Sequence, residues 1–202
     1  MNGSEGVKSS VYIVHGFAAA PCNHWFQSLK TAVQQKNVEV RIPAMPESST
    51  PDLQKWLAHL KNEVTAQKRA FFVGHSLGCI TLLQFLSHIY TGEISGLCLV
   101  APFDEKLPNR PVMDSFTAAN PDYAILKSRC AASYVFASTN DLAVPLRMSE
   151  SVSKKLGASF VVVENAGHFL ASEGYTSFKL LEETCRNLIR DANSQKTAGK
   201  KQ

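Results

Sequence analysis

The sequence lacks the features of a disulfide-stabilised or secreted protein. Its five cysteines are an odd number and are spread singly, with no Cys-x-x-Cys pair. This spacing argues against a disulfide framework and against a zinc site built from paired cysteines. No charged-then-apolar segment opens the sequence, so we expect no secretory signal and a reducing, cytoplasmic location.

Long hydrophobic runs and an excess of one charge are also missing. The longest apolar stretch, 70–90, is interrupted by histidines, a glutamine and glycines, which predicts a strand and a buried helix rather than a membrane span. The net charge is +4, but Lys196, Lys200 and Lys201 contribute most of it at the end of the sequence. The rest is nearly neutral and offers no basic stripe, so we expect neither nucleic acid nor an anionic membrane as a partner.

Metal and cofactor motifs are absent from the sequence as well. It contains no His-Glu-x-x-His, no P-loop and no Gly-x-Gly-x-x-Gly, and its six histidines lack ligand spacing. We therefore expect no metal ion and no cofactor.

What the sequence does contain is an alternation of apolar strands with helical patterns. Short β-branched or aromatic runs predict six strands, at 11–14, 38–42, 70–73, 96–100, 133–137 and 159–163. Near-continuous apolar strands separated by helices predict an α/β fold, with a six-stranded, mainly parallel sheet and helices on both faces. The carboxyl ends of such strands are where functional residues cluster.

The length of 202 residues fits one domain and leaves no room for a cap domain. We expect a flexible N-terminus at 1–9, a single domain over 10–192 and a disordered basic tail at 193–202. One irregular segment, 102–130, holds four prolines between the fourth and fifth strands. Its length favours a substrate-facing excursion, which could act as a lid, over a plain surface loop.

A candidate nucleophile follows the third strand. Gly74-His75-Ser76-Leu77-Gly78 stands between that strand and the apolar helix 77–89. Gly-x-Ser-x-Gly in this context is typical of a nucleophile elbow, in which a tight turn presents the serine above the sheet. The alternative is a serine that caps a helix after a glycine-rich turn.

A serine nucleophile needs a base and an acid to orient that base. Asp141 follows the fifth strand and His168 the sixth, so both can converge on Ser76 at one edge of the sheet. Asp104, after the fourth strand, remains an alternative acid. The other histidines favour structural or surface roles: hydrogen bonds in turns for His15 and His75, and helix caps or the surface for His24, His59 and His88.

Acyl transfer also needs donors for the developing oxyanion and a site for the acyl group. We assign the donors to the backbone N–H groups of Leu77, which follows the nucleophile, and of Phe17, which follows the first strand. The acyl site is assigned to four aromatic residues, for which packing in the core or in loops is an equal alternative: Trp25, Phe103, Phe116 and Phe169.

These motifs resemble the α/β-hydrolase superfamily, and more narrowly the small serine hydrolases that include the retinoblastoma-binding serine hydrolase and the bacterial YdeN-like proteins. The matching segments span most of the chain: Val14-His15-Gly16, His24-Trp25, Gly74-His75-Ser76-Leu77-Gly78, Ala101-Pro102, Ala137-Ser138-Thr139-Asn140-Asp141 with Val144-Pro145, and Ala166-Gly167-His168-Phe169. The resemblance implies a compact hydrolase with the triad Ser76, Asp141 and His168, acting on small esters and in some members on peptide-like amides.

The sequence departs from this family at two places. Ala143 stands where the family often has proline, and the loop after Gly16 reads Phe17-Ala18-Ala19-Ala20-Pro21 where glycine is usual. A stiffer loop would narrow the choice of substrate. Binding to a retinoblastoma-type pocket would require a Leu-x-Cys-x-Glu motif. The nearest segment, Leu77-Gly78-Cys79-Ile80-Thr81, lacks the glutamate, so we do not expect such a partner.

The sequence therefore predicts a serine hydrolase of small carboxylic esters that works through an acyl-enzyme on Ser76. Two alternatives stay open: a serine peptidase or amidase of the same fold, and a non-catalytic protein-binding module. For the enzyme, activity should fall as His168 becomes protonated, because the base is then lost.

Overall fold

A computed structural model describes residues 9–65, 69–108 and 110–198 of the chain, with the backbone alone for 195–198. The described strands form one six-stranded sheet in the order β2-β1-β3-β4-β5-β6, and every pairing is parallel. They are β1 (Ser9–Val14), β2 (Val38–Arg41), β3 (Ala70–His75), β4 (Ile94–Val100), β5 (Ser133–Ser138) and β6 (Ser159–Val163). The predicted parallel α/β sheet is confirmed.

Helices connect the strands, and two short 3₁₀ helices, Pro111–Thr117 and Ala171–Glu173, lie in loops. The helices are α1 (Phe26–Val33), α2 (Leu53–Glu63), α3 (Leu77–His88), α4 (Tyr123–Arg129), α5 (Leu146–Leu156) and α6 (Lys179–Ala198). Helix α1 connects β1 to β2, towards one edge of the sheet, whereas α2, α3 and α5 connect strands in the direction of the other edge. Because such crossovers are right-handed, α1 lies on the opposite face of the sheet from α2, α3 and α5. The packing agrees, since α1 contacts α6 while α2 to α5 contact one another in sequence.

The sheet register brings the ends of the functional strands together. Val14 pairs with Gly74, His75 with Val100, and Ser138 with Val163. The loops after β1, β3, β5 and β6 therefore leave the same edge of the sheet. The strand order reverses between β1 and β3, which is where open α/β sheets form their binding crevices.

Helix α3 is buried along almost its whole length, from Leu77 to Ser87. A helix that is apolar all round belongs in a core, and here it supports the candidate nucleophile at its N-terminus. Its buried Gln84 side chain donates hydrogen bonds to the carbonyls of Phe116 and Ala119. This anchors the irregular segment 102–130, which holds a 3₁₀ helix and α4 but forms no separate domain among the described residues.

Both chain ends differ from the expected boundaries. Strand β1 already begins at Ser9, a buried residue within the predicted flexible terminus, while residues 1–8 lie outside the described part. Helix α6 continues to Ala198, so the prediction of disorder from 193 is wrong for 193–198. Residues 199–202 lie outside the described part.

No helix in the described ranges is both long and apolar enough to cross a membrane.

Candidate active site

Ser76 occupies a strained turn between β3 and α3. Its φ of 54° and ψ of −120° are unfavourable for any residue with a side chain. Hydrogen bonds hold the turn on both sides, from Ser76 N to Val100 O at 2.9 Å and from Cys79 N to Ser76 O at 2.8 Å. Strain of this kind costs about 1–3 kcal/mol and is concentrated at functional sites.

The two glycines of the motif make the turn possible. A Cβ added to Gly78 would lie 2.2 Å from the carbonyl oxygen of Val14, and one added to Gly74 would lie 2.9 Å from Cys79 Cα. Both distances are too short for any side chain, so the backbone of α3 can approach β1 and β3 only with glycine there. The packing of this turn therefore requires both glycines of the motif.

Asp141 and His168 meet as the chain order of the motifs predicts. His168 Nδ1 lies 2.7 Å from Asp141 Oδ2, and the Asp141 side chain is only 1% exposed. The other carboxylate oxygen, Oδ1, accepts from the N–H groups of Ala143 and Val144 at 2.8 and 2.9 Å. A carboxylate held by these donors accepts the Nδ1 hydrogen and leaves Nε2 of His168 with a lone pair.

Glu173 fixes the loop that carries His168, a role that the sequence did not reveal. Its Oε2 accepts from the N–H groups of His168 at 2.8 Å and Leu170 at 3.0 Å. Gly167 has a φ of 58°, and a Cβ there would lie 2.2 Å from Glu173 Oε1. Glycine before His168 thus suits both the positive φ and the close approach of this carboxylate.

A cavity of about 340 Å³ opens above these residues. Its polar lining consists of Ser76, His24, His75, His168, Glu173 and Arg110. Among the described residues the Ser76 hydroxyl has no hydrogen-bond partner, although it shares the cavity with His168. Such hydrogen bonds are often long in free enzymes and shorten when substrate binds.

The apolar lining comes from four loops, and Phe17 and Ala19 of the loop after β1 contribute to it. Leu107 and Met113 belong to the segment 102–130, Leu142 follows Asp141, and Leu170 follows His168. Leu142 is fully exposed at the rim. The segment 102–130 therefore faces the cavity, as expected for a substrate-facing excursion.

The two expected oxyanion donors lie beside Ser76. Phe17 lines the cavity, and a Cβ on Gly16 would lie 3.1 Å from Ser76 Cβ and 3.5 Å from Leu77 N. Among the described residues, neither the Phe17 nor the Leu77 N–H donates to a backbone carbonyl. The Leu77 amide also opens helix α3, where the aligned peptide dipoles favour negative charge.

His75 and His15 have structural hydrogen bonds. His75 Nε2 donates to the carbonyl oxygen of His168 at 2.9 Å, while His15 bonds Gly16 O and accepts from Met45 N, both at 3.0 Å. Burial lowers the pKa of His75 well below its usual range, and the charge of His168 lowers it further. Burial likewise lowers the pKa of His15. Both rings therefore stay neutral at neutral pH.

His24 is another residue of the cavity whose place the sequence did not reveal. We expected a helix cap or a surface position, but the ring lines the cavity and its Nδ1 accepts from Ala171 N at 3.1 Å. The sequence feature that could have indicated this position is that His24 lies in the same loop after β1 as Phe17.

Asp104, the alternative acid, is committed elsewhere. Its Oδ2 accepts from the Tyr123 hydroxyl and from Lys155 Nζ, both at 2.7 Å. The carboxylate that contacts His168 is that of Asp141.

The assignment of four aromatic residues to the acyl site is wrong. Trp25, Phe103, Phe116 and Phe169 are all 0% exposed, and none of them lines the cavity. Large rings contribute most when they are buried against each other: Phe169 stacks on Phe178 at 5.1 Å, and Phe116 meets Trp56 edge to face at 5.4 Å.

Within the described ranges, no group of three or more His, Cys, Asp or Glu side chains lies close enough to hold a metal ion.

Comparisons with known proteins agree with this geometry. A family model described as serine hydrolase matches residues 11–186. The chain is 34% identical over 173 residues to YdeN of Bacillus subtilis (strain 168), named as a candidate hydrolase, which covers 85% of this chain and 91% of that protein. It is 23% identical over 139 residues to the serine hydrolase RBBP9 of Rattus norvegicus, covering 68% of this chain and 73% of that one.

Solved structures share the fold. The crystal structure of the ydeN gene product from B. subtilis matches with a TM-score of 0.84 and 30% identity, over 91% of this chain and 100% of that chain. Est1E from Butyrivibrio proteoclasticus matches with a TM-score of 0.68 and 14% identity, over 93% of this chain and 89% of that chain. The chain therefore belongs to the serine hydrolase family and has the α/β-hydrolase fold.

Proposed function

We propose that this hydrolase cleaves small carboxylic esters through an acyl-enzyme on Ser76. The observation that carries the proposal is the 2.7 Å contact between His168 Nδ1 and the buried Asp141 carboxylate, in the cavity that the strained Ser76 also lines. A nucleophile, a base and an orienting acid are the parts that acyl transfer by a serine requires.

In this mechanism the Ser76 oxygen attacks the ester carbonyl carbon while His168 Nε2 takes the hydroxyl proton. The protonated imidazole, stabilised by Asp141, then gives that proton to the departing alkoxide, and the acyl group remains on Ser76. A water molecule, deprotonated by the same His168, attacks the acyl-enzyme; the bond to the Ser76 oxygen then breaks, His168 returns the proton to that oxygen, and the carboxylic acid is released. Asp141 stays ionised throughout, because its role is to fix the tautomer and to stabilise the imidazolium.

The backbone N–H groups of Phe17 and Leu77 stabilise the oxyanion of each tetrahedral intermediate. Their free N–H groups and their place beside Ser76 support this role. Each well-placed donor contributes roughly 3–4 kcal/mol to the transition state.

The walls of the cavity support a small substrate with an apolar acyl group. Leu107, Met113 and Leu142 replace the aromatic residues expected from the sequence as the apolar wall. The cavity volume of about 340 Å³ lies near the lower end of the roughly 300–1,000 Å³ common for ligand pockets. A peptidase or amidase remains the alternative within the same chemistry, and comparing an ester with its matched amide separates the two.

The protein acts in a reducing compartment, the cytosol. All five cysteines are free thiols, and the Cys98 and Cys185 sulfurs lie 3.9 Å apart in the core without a bond. Disulfides are rare in cytosolic proteins, where thiols are kept reduced, and free cysteines support this location.

Labelling with a fluorophosphonate tests the proposal. The probe's phosphorus bonds to an activated serine oxygen with loss of fluoride, so wild-type protein should be labelled stoichiometrically and Ser76→Ala should not. Ser87→Ala is the matched control, because that buried serine donates only to helix carbonyls. Folded wild-type protein that resists labelling would contradict the enzyme reading and favour a non-catalytic binding module.

A further inference from the structure

His24 lies in the loop between β1 and α1, which also contains the proposed oxyanion donor Phe17. It lines the same cavity as Ser76 and His168. Its φ of 50° is uncommon for a residue with a side chain. Ring contacts hold this conformation, with centroid distances of 5.4 Å to Phe26 and 5.7 Å to His75.

The hydrogen bond to Ala171 determines which nitrogen of His24 carries the proton. Because Ala171 N–H donates to Nδ1 at 3.1 Å, the neutral ring must carry its hydrogen on Nε2. Burial and then the charge of His168 lower the pKa of His24, which keeps the ring neutral. Within the described ranges Nε2 has no partner, and it is not among the side-chain atoms sealed from solvent.

The cavity therefore contains one fixed, neutral donor that no role assigned so far uses. Two other polar groups of the lining are already paired: Glu173 accepts from two backbone amides, and His75 donates to the His168 carbonyl. Arg110 also lines the cavity, but as a cation. A donor held on a strained backbone beside a nucleophile suits a site where negative charge develops on substrate oxygens.

We propose that His24 is a catalytic residue whose Nε2–H donates a hydrogen bond to an oxygen of the scissile ester group. The proposal rests on the proposed function. Hydrolysis builds negative charge first on the carbonyl oxygen and then on the leaving oxygen, so a neutral donor binds the transition state more strongly than the ester. The competing explanation is structural, in which the ring only ties its loop to Ala171.

Two substitutions separate these roles. In His24→Asn the side-chain oxygen can still accept from Ala171 N–H, and asparagine tolerates a positive φ, but nothing reaches the position of Nε2. In His24→Gln the longer amide restores a donor near Nε2 and loses the short-range acceptor at Nδ1. His88→Asn, on the exposed end of α3, is the control.

The measurement is kcat and KM on a short-chain p-nitrophenyl ester, with thermal unfolding of each variant. We expect His24→Asn to lower kcat about 10- to 100-fold with little change in KM or stability, the loss typical of a hydrogen bond to a charged group. His24→Gln should be clearly faster than His24→Asn. Wild-type turnover in His24→Asn, or equal losses in the two variants, would overturn the inference.

Wild type and Ser76→Ala are measured in the same series. If the wild-type protein shows no Ser76-dependent turnover, the proposed function and this inference both fail. If the wild type turns over and His24→Asn does so equally well, only this inference fails.

Discussion

At the scale of single residues, the site depends on how firmly Asp141 is held. Its two oxygens take three donors, the N–H groups of Ala143 and Val144 and the ring of His168. A carboxylate can accept from all three donors. The amide of an asparagine has only one acceptor oxygen, so its NH₂ group would face at least one of these donors. In the proposed mechanism, Asp141 therefore selects the tautomer of His168 that can accept a proton from Ser76.

We predict that Asp141→Asn lowers kcat by about four orders of magnitude, by analogy with other Ser-His-Asp sites. The cause is the wrong tautomer of His168, with the fold retained. Steady-state kinetics and circular dichroism on the purified variant measure both effects.

Asp104→Asn is the matched control for this substitution. Asp104 is buried and bonds Tyr123 and Lys155, so its loss should cost about 2 kcal/mol of stability and leave turnover near wild type. Full activity in Asp141→Asn with a collapse in Asp104→Asn would reverse the assignment of the acid.

The buried histidines predict how stability depends on pH. His75 and His15 have lowered pKa values in the folded state because burial disfavours the charged ring. Below about pH 6.5 these histidines become protonated in the unfolded chain but stay neutral in the folded chain. The free energy of unfolding therefore falls as pH falls. Each such histidine contributes a slope of up to about 1.4 kcal/mol per pH unit.

Urea unfolding between pH 8 and pH 5 tests this expectation. His75→Gln can still donate to the His168 carbonyl but cannot titrate, so its slope should be shallower than that of the wild type. Identical slopes for the two proteins would contradict the assignment of a neutral, buried His75.

At the scale of secondary-structure elements, the elbow exists because β1, β3 and α3 approach each other at two glycines. We predict that Gly78→Ala disrupts this approach, since its Cβ would lie 2.2 Å from Val14 O. Overpacking against rigid backbone costs about 1–3 kcal/mol or more and moves Ser76. Fluorophosphonate labelling should be lost even in protein that remains folded.

Gly157→Ala provides the comparison at another element boundary. Gly157 ends α5 with a φ of 66° and has only the distant Lys127 Cε near its added Cβ, at 3.8 Å. Alanine there should cost about 1 kcal/mol through its φ and leave labelling unchanged. Equal labelling of Gly78→Ala and wild type would show that the elbow does not depend on this contact.

The elements that carry the site could be predicted because their signals are local. The apolar runs identified all six strands, and Asp141 and His168 follow two of them directly, so a parallel sheet had to bring them together. Ser9 and Ser10 were left out of β1 because polar residues do not look like a buried strand.

The walls of the cavity could not be predicted in the same way. Leu107, Leu142 and His24 belong to separate loops whose meeting depends on the packing of the whole fold. Aromatic residues near strand ends looked like a pocket, but Trp25 and Phe103 pack inward, because large rings gain more free energy by burial.

At the scale of the whole molecule, a single sheet with its helices leaves the cavity covered only by loops. Its volume of about 340 Å³ limits how much of an acyl chain can be buried. We predict that kcat/KM rises about fourfold for each methylene that enters the cavity, at about 0.8 kcal/mol per methylene, and then levels off or falls. A series of p-nitrophenyl esters from acetate to laurate measures this profile.

A steady rise through the longest chains would contradict a cavity of this size and would indicate that the segment 102–130 opens. Met113→Ala enlarges the cavity at its apolar wall and should shift the acyl chain length with the highest kcat/KM upward. Such a shift distinguishes a limit set by cavity volume from one set by the solubility of the ester.

The central claim is that hydrolysis passes through an acyl group on Ser76, and intact-protein mass spectrometry of rapidly quenched reactions tests it most directly. With a p-nitrophenyl ester the wild type should gain the mass of one acyl group, located by peptide analysis at Ser76, and Ser76→Ala should gain none. Turnover by folded protein with no acyl group on Ser76, or an acyl group on another residue, would contradict the account.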